Sequence, residues 1–122
     1  MEFLAILLLF IGLPFTYTQI ESKKIENKYP PLGYFKNIDG FNTHYTDIGS
    51  GQPVVLLHSQ PANERQFDLL KDLLKKDYRV ISIDRPGMGY SDGPNINSSE
   101  RLFIQARIIS KHIAEVNDLN VI

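Results

Sequence analysis

Residues 52–94 read QPVVLLHSQPANERQFDLLKDLLKKDYRVISIDRPGMGYSDGP, and this stretch decides the fold. Two short runs, Val54-Val55-Leu56-Leu57 and Arg79-Val80-Ile81-Ser82-Ile83, are dense in β-branched and apolar residues. An amphipathic helical segment lies between them. Each run stops at a loop rich in Pro, Gly and small polar residues. Strand, loop, helix, strand, loop is a βαβ unit, and unbroken apolar strands predict a sheet buried on both faces. In such sheets ligands bind outside the carboxyl ends of the strands. The loops of interest are therefore 58–63, HSQPAN, and 84–91, DRPGMGYS.

Upstream, residues 34–38 form a short strand candidate. Asp39-Gly40 is a strong hairpin turn, because Gly accepts the positive φ that such turns need. The chain returns as a strand over 41–48 with only partial alternation. Gly49-Ser50-Gly51-Gln52-Pro53 then turns it into the buried strand. Between the two apolar runs, the spacing predicts a helix over 64–76. Phe67, Leu70 and Leu74 make its apolar stripe, and Leu69 and Leu73 widen it. Asn63 suits its N-cap, Glu64 its first turn, Lys75 and Lys76 its last. A second helix starts at Asn97 or Ser98 and runs to about Asn117, with a stripe of Leu102, Ala106, Ile109, Ile113 and Val116. Leu119-Asn120-Val121-Ile122 has the character of another buried strand. No internal repeat or low-complexity segment is present.

At the N-terminus, residues 3–17, FLAILLLFIGLPFTY, are an almost unbroken apolar run without a charge. A signal peptide wants a basic n-region and small residues before the cleavage point. Here Glu2 stands in the n-region, and Thr16-Tyr17-Thr18 is a poor cleavage site. A spanning helix wants about 20 apolar residues, and reaching Ile20 means including Thr16, Thr18 and Gln19. Pro14 is tolerated in membrane helices. Residues 1–20 are therefore read as an uncleaved membrane anchor contacting lipid through 3–20, with export after signal cleavage as the alternative. Residues 21–32, charged and then proline-bearing, read as a linker, and 33–122 as the folded domain. Lys23, Lys24 and Lys28 beside the anchor favour the cytoplasmic face under the positive-inside rule.

Composition bounds the chemistry. The chain of 122 residues has a net charge of −1, so nothing recommends a nucleic acid partner. With no Cys there is no disulfide and no thiolate. The His residues, at 44, 58 and 112, lack metal-ligand spacing, so neither metal nor cofactor is expected. The dinucleotide fingerprint fails, since Gly87 and Gly89 lack a third Gly and no helix opens there; a P-loop fails for want of Gly-Lys-Ser/Thr.

"VVLLHSQP" followed at this distance by "ISIDRPGMGYSDGP" resembles the α/β-hydrolase superfamily, over residues 33–122, the N-terminal part of that fold. The resemblance implies a partial α/β-hydrolase fold: an antiparallel hairpin, then βαβ units of a mostly parallel sheet. It implies hydrolysis of an ester or related bond in a small-molecule substrate, through a nucleophile–His–acid triad. In that family the first loop commonly reads His-Gly-x-Pro and gives a backbone donor to the oxyanion hole. By position the donor is the N–H of Gln60, between Ser59 and Pro61. Ser59 stands where Gly is usual, which puts the loop's shape in question. His58 is expected to hold the loop by a side-chain hydrogen bond. The second loop, with Asp84, Arg85, Gly87, Gly89 and Ser91, is expected to shape the fold near the site.

Residues 89–93, GYSDG, fit the nucleophile pattern G-x-S-x-G without its context. The elbow needs a strand running into the first Gly and a helix directly after the Ser. The strand stops at Ile83, and Pro94-Asn95-Ile96-Asn97 comes after the motif. Ser91 is therefore not expected to be a nucleophile, and Asp84 is expected to cap nearby N–H groups or pair with Arg85. The nucleophile, acid and His are expected beyond Ile122, the chain itself being inactive, with one to three apolar residues and then G-x-S-x-G after Ile122. Two rivals stand beside this reading. One is a relative with an Asp nucleophile, an epoxide hydrolase or haloalkane dehalogenase. The other is a non-catalytic, membrane-tethered remnant or binding module.

Overall fold

The computed structural model describes residues 2–94 and 98–117. The chain divides into two compact units after Pro31. The first is one helix, α1 (Glu2–Lys28), with Pro14 inside it. It continues through the charged stretch expected to be a linker. Among the described residues no helix is long and apolar enough to cross a membrane.

The second unit is a sheet with helices. Its strands are β1 (Tyr34–Ile38), β2 (Phe41–Gly49), β3 (Pro53–Leu57) and β4 (Arg79–Ile83), in the order β1-β2-β4-β3. The β1–β2 hairpin turns on Asp39 (φ 53°) and Gly40 (φ 87°), the doubly positive pair that matches the twist of the strands. β2 pairs antiparallel with β4, and β3 pairs parallel with it, in register from Pro53↔Arg79 to Leu57↔Ile83. The mixed sheet with its βαβ unit is thus an α/β fold, as the apolar runs predict. Flanked on both sides, β4 is buried from Val80 to Ile83. β3 has one neighbour among the described strands and is only half-buried, with Leu57 exposed. The core centres on Ile81 and Ile83, packed by Tyr45, Val55 and Ile113.

Both helices of this unit present faces other than those their leucines predict. The first is a 3-10 turn (Glu64–Phe67) running into α2 (Asp68–Leu74), with Asn63 accepting from the N–H of Arg65 as N-cap. The 3-10 turn has three residues per turn rather than 3.6, which shifts the phase of α2 behind it. Glu64 and Lys71 face inward, and Leu69 (84% exposed) and Leu73 (66%) face out. The buried pair is tolerable because it is neutralised. Lys71 Nζ contacts Glu64 Oε2 and donates to Asp68 Oδ1 at 2.8 Å, and Thr46 Oγ1 donates to Glu64 Oε2 at 3.2 Å. Burial pulls the Lys71 ammonium down, but Asp68 and Glu64 outweigh it and hold it above its ordinary value.

The second helix, α3 (Ser98–Asn117), turns Gln105, Ile108, Ile109 and His112 inward. Leu102 and Ala106, expected in the stripe, are exposed; Ile109 and Ile113 face the protein. The real face is rotated because two polar residues belong to it. His112 packs edge-on against Tyr45, ring centroids 4.6 Å apart. The expected positions of Asn97, of the Val116 side chain and of the strand at Leu119–Ile122 lie outside the described residues.

Candidate active site

β3 and β4 are parallel neighbours, so the loops after them emerge side by side at one end of the sheet. The first loop is built from β3 outward. His58, 2% exposed, donates from Nδ1 to Ser59 O at 2.8 Å and accepts at Nε2 from the N–H of Arg85 at 3.0 Å. Those roles fix the neutral Nδ1–H tautomer and tie the two loops together. Ser59, Gln60 and Pro61 are exposed, and the N–H of Ala62 closes a turn on Ser59 O at 3.0 Å. Asp39 is the only non-Gly residue with positive φ among those described, so Ser59 sits in ordinary backbone space and serine fits where glycine is usual. Among the described residues nothing accepts the N–H of Gln60. Gln60 borders an open cleft of about 820 Å³, walled also by Pro61 and Ala62, by residues 86–89 of the second loop and by α3.

The second loop is organised on Asp84, 1% exposed. Its Oδ1 accepts from the N–H of Glu64 at 2.7 Å; its Oδ2 accepts from His44 Nδ1 at 2.8 Å and from the N–H of Tyr90 at 3.0 Å. Burial pushes this carboxyl up, but the hydrogen bonds from His44, Tyr90 and Glu64 outweigh it and hold it below the ordinary carboxylate value. Gly89 passes directly over this carboxylate with φ 54°, and a Cβ there would fall on the carboxyl group. Arg85, the other expected partner of Asp84, reaches Gln105 Oε1 at 3.0 Å instead, and Gln105 Nε2 donates to Pro86 O at 2.8 Å. Gly87 donates its N–H to Asp92 O at 2.9 Å.

Serine, histidine and aspartate meet in this loop, yet they do not form a catalytic triad. Ser91 Oγ donates to Asp84 O at 2.7 Å and accepts from the backbone N–H of His44 at 2.8 Å. His44 Nε2 points away from Ser91, to Leu32 O at 2.9 Å. Both ring nitrogens of His44 are therefore engaged, one with Asp84 and one with Leu32 O. A nucleophile needs a free base at its hydroxyl and a path to substrate, and Ser91 has neither. His44 is the residue that the sequence reading missed. It lies 40 positions from Asp84 with no local motif, and its one trace is its place in a strand packed on both faces. Among the described residues no group of His, Asp or Glu could hold a metal ion.

No protein-family model matches the chain. It is 36% identical over 62 residues to the AB hydrolase superfamily protein YisY of Bacillus subtilis, covering 50% of this chain and 23% of that protein. It is 34% identical over 82 residues to the 2-hydroxy-6-oxo-6-(2'-aminophenyl)hexa-2,4-dienoic acid hydrolase of Metapseudomonas resinovorans, covering 65% and 28%. The structure superposes on the Cif epoxide hydrolase of Acinetobacter nosocomialis with a TM-score of 0.66 and 27% identity, over 84% of this chain and 34% of that one. The chain belongs to the α/β-hydrolase superfamily. It spans roughly a quarter of the length of the curated α/β-hydrolases it matches. Both loops border the cleft, 58–63 through Gln60, Pro61 and Ala62 and 84–91 through residues 86–89, while the polar side chains of the second loop, Asp84, Arg85 and Ser91, are engaged in holding strands, turn and helix together.

Proposed function

We propose that this chain supplies the oxyanion-hole face of a hydrolase site acting on an ester or related bond of a small-molecule substrate. The observation that carries this reading is Gln60, exposed just beyond the carboxyl end of β3 and lining the cleft, with no acceptor for its N–H among the described residues. Attack on a carbonyl puts negative charge on its oxygen, and a donor fixed in advance stabilises that charge without reorganising during the reaction. His58 keeps the donor in place by fastening the loop to the N–H of Arg85. The chemistry requires a nucleophile–His–acid triad, which His44, Asp84 and Ser91 do not provide, so these 122 residues alone turn over no ester. A second reading, epoxide opening, is favoured by the likeness to the Cif epoxide hydrolase, and it uses the same Gln60 loop.

Amide NMR of the 122-residue chain, titrated with methylphosphonate as a tetrahedral anion, tests the proposal. The Gln60 amide is expected to move most, with half-saturation in the millimolar range, and Gln60→Pro, which removes the donor, is expected to abolish the response at its neighbours. Shifts confined to other surfaces, or an unmoved Gln60 amide, would overturn it.

A further inference from the structure

α1 has no polar side along its first four turns. Phe3, Phe10, Ile11, Leu13, Phe15 and Tyr17 are each more than 60% exposed. At 100° per residue they spread over about 200° of the helix circumference, far wider than one stripe, and by sequence the remaining arc of residues 3–17 holds Ala5, Leu8, Leu9, Gly12 and Thr16, with no charge. A helix of this kind has no face to turn to water, and the fully apolar surface suits hydrocarbon. Of the three hydroxyls that interrupt it, those of Thr16 and Thr18 are already satisfied, and the phenol of Tyr17 lies within two residues of Gln19, on the charged segment's side, where tyrosine suits the interface. Thr16 Oγ1 donates to Leu13 O at 2.9 Å and lies 3.0 Å from Gly12 O, and Thr18 Oγ1 donates to Phe15 O at 2.8 Å. A hydroxyl bonded to its own helix adds little to the cost of leaving water. Gln19 is the first side chain whose polar groups no neighbouring carbonyl could fully satisfy. Charge begins immediately beyond it, with Lys24 paired to Glu21 at 2.7 Å and Lys23 and Lys28 beside them.

We infer that residues 3–18 of α1 are embedded in the hydrocarbon of a lipid bilayer, with the boundary to the headgroups at Gln19. The threonines belong to the buried side of that boundary. Embedding does not require crossing. Sixteen residues extend about 24 Å, less than the about 30 Å hydrocarbon core. The inference stands independently of the hydrolase reading, because it uses none of the cleft residues.

The chain has no cysteine, so single-cysteine variants Phe10→Cys, Tyr17→Cys and Ile25→Cys of the full chain can each carry one environment-sensitive fluorophore. They are mixed with phosphatidylcholine vesicles, with and without spin-labelled acyl chains. Labels at 10 and 17 are expected to shift to the blue and be quenched several-fold, and the label at 25 to do neither. Thr16→Val is expected to leave quenching at 17 unchanged, and Thr16→Gln to reduce it. A label at 10 that still reads water beside vesicles would overturn the inference. So would a shift of equal size without vesicles, which assigns the surface to self-association. Equal quenching at 25 would reject the boundary at Gln19, and recovery from cells of a soluble form starting near Gln19 would show a leader that is removed.

Discussion

Two loops leave the same end of the same sheet, and they treat their polar groups in opposite ways. In residues 58–63 only His58 is buried; Ser59 and Gln60 face solvent and the Gln60 N–H has no described acceptor. In residues 84–91 the aspartate, the serine and the N–H of Tyr90 are all engaged with neighbouring strands and turns. The second loop carries the richer set of chemical residues, including a G-x-S-x-G pattern, and has none of them available. Reactivity belongs to groups the fold leaves unengaged. A motif states which atoms are present, and the pattern of hydrogen bonds states which are free.

The largest test of this contrast is Asp84→Asn. The amide keeps the shape, but it loses the charge opposite His44 and turns a donor toward N–H groups that need an acceptor. Breaking a buried pair while leaving partners unsatisfied costs roughly 3–5 kcal/mol, to be read from urea unfolding. A loss under about 1 kcal/mol would mean that Asp84 does not organise the second loop.

His112 extends the contrast to a buried polar group outside both loops. Neither of its ring nitrogens has a hydrogen-bond partner among the described residues. Burial pushes it down to about 4, Lys36 adds to this, and Glu115 opposes it. Its folded value is below its unfolded value of 6.5, so the unfolded chain binds the proton more readily. Stability from this group is complete above pH 6.5 and is lost as pH falls toward 4, by roughly 3 kcal/mol in all. Unfolding measured between pH 7 and pH 4 should show that slope, and His112→Leu should flatten it. Asp84 contributes in a separate, lower window: its lowered carboxyl stabilises above 3.8, and that support is lost as pH falls through its folded value.

The smallest expected effect is at the open loop. Gln60→Ala removes an exposed side chain and keeps the N–H, so stability should change by no more than about 0.5 kcal/mol. A cost above 1 kcal/mol in the same urea assay would show that the first loop, too, is engaged by the fold.

The strands were legible because they are local. Val54 to Leu57 and Val80 to Ile83 announce themselves by β-branched density, and Asp39-Gly40 by the φ it needs. Asn63 as cap and the span of α3 were legible for the same reason. The helix faces were not, because Glu64, Lys71, Gln105 and His112 look like surface residues, and only neighbours distant in sequence make room for them inside. The pairing of His44 with Asp84 leaves no trace in either residue's neighbourhood. The role proposed for Gln60 rests on family resemblance; the structure adds that the residue is exposed and lines the cleft.

The Asp84 carboxylate also governs how the molecule can change over time. It gathers the N–H groups of Glu64 and Tyr90 and the ring of His44, from three separate parts of the chain, and Gly89 lies against it. A loop fastened at so many points has a fixed length: adding or deleting one residue between 84 and 91 would detach several anchors at once. The stretch around Gln60 is held at His58 and again at Asn63, and its exposed residues between can vary in kind without disturbing the sheet. Substitution at 59–61 is therefore expected to leave the sheet intact, whereas a change of length between 84 and 91 is not.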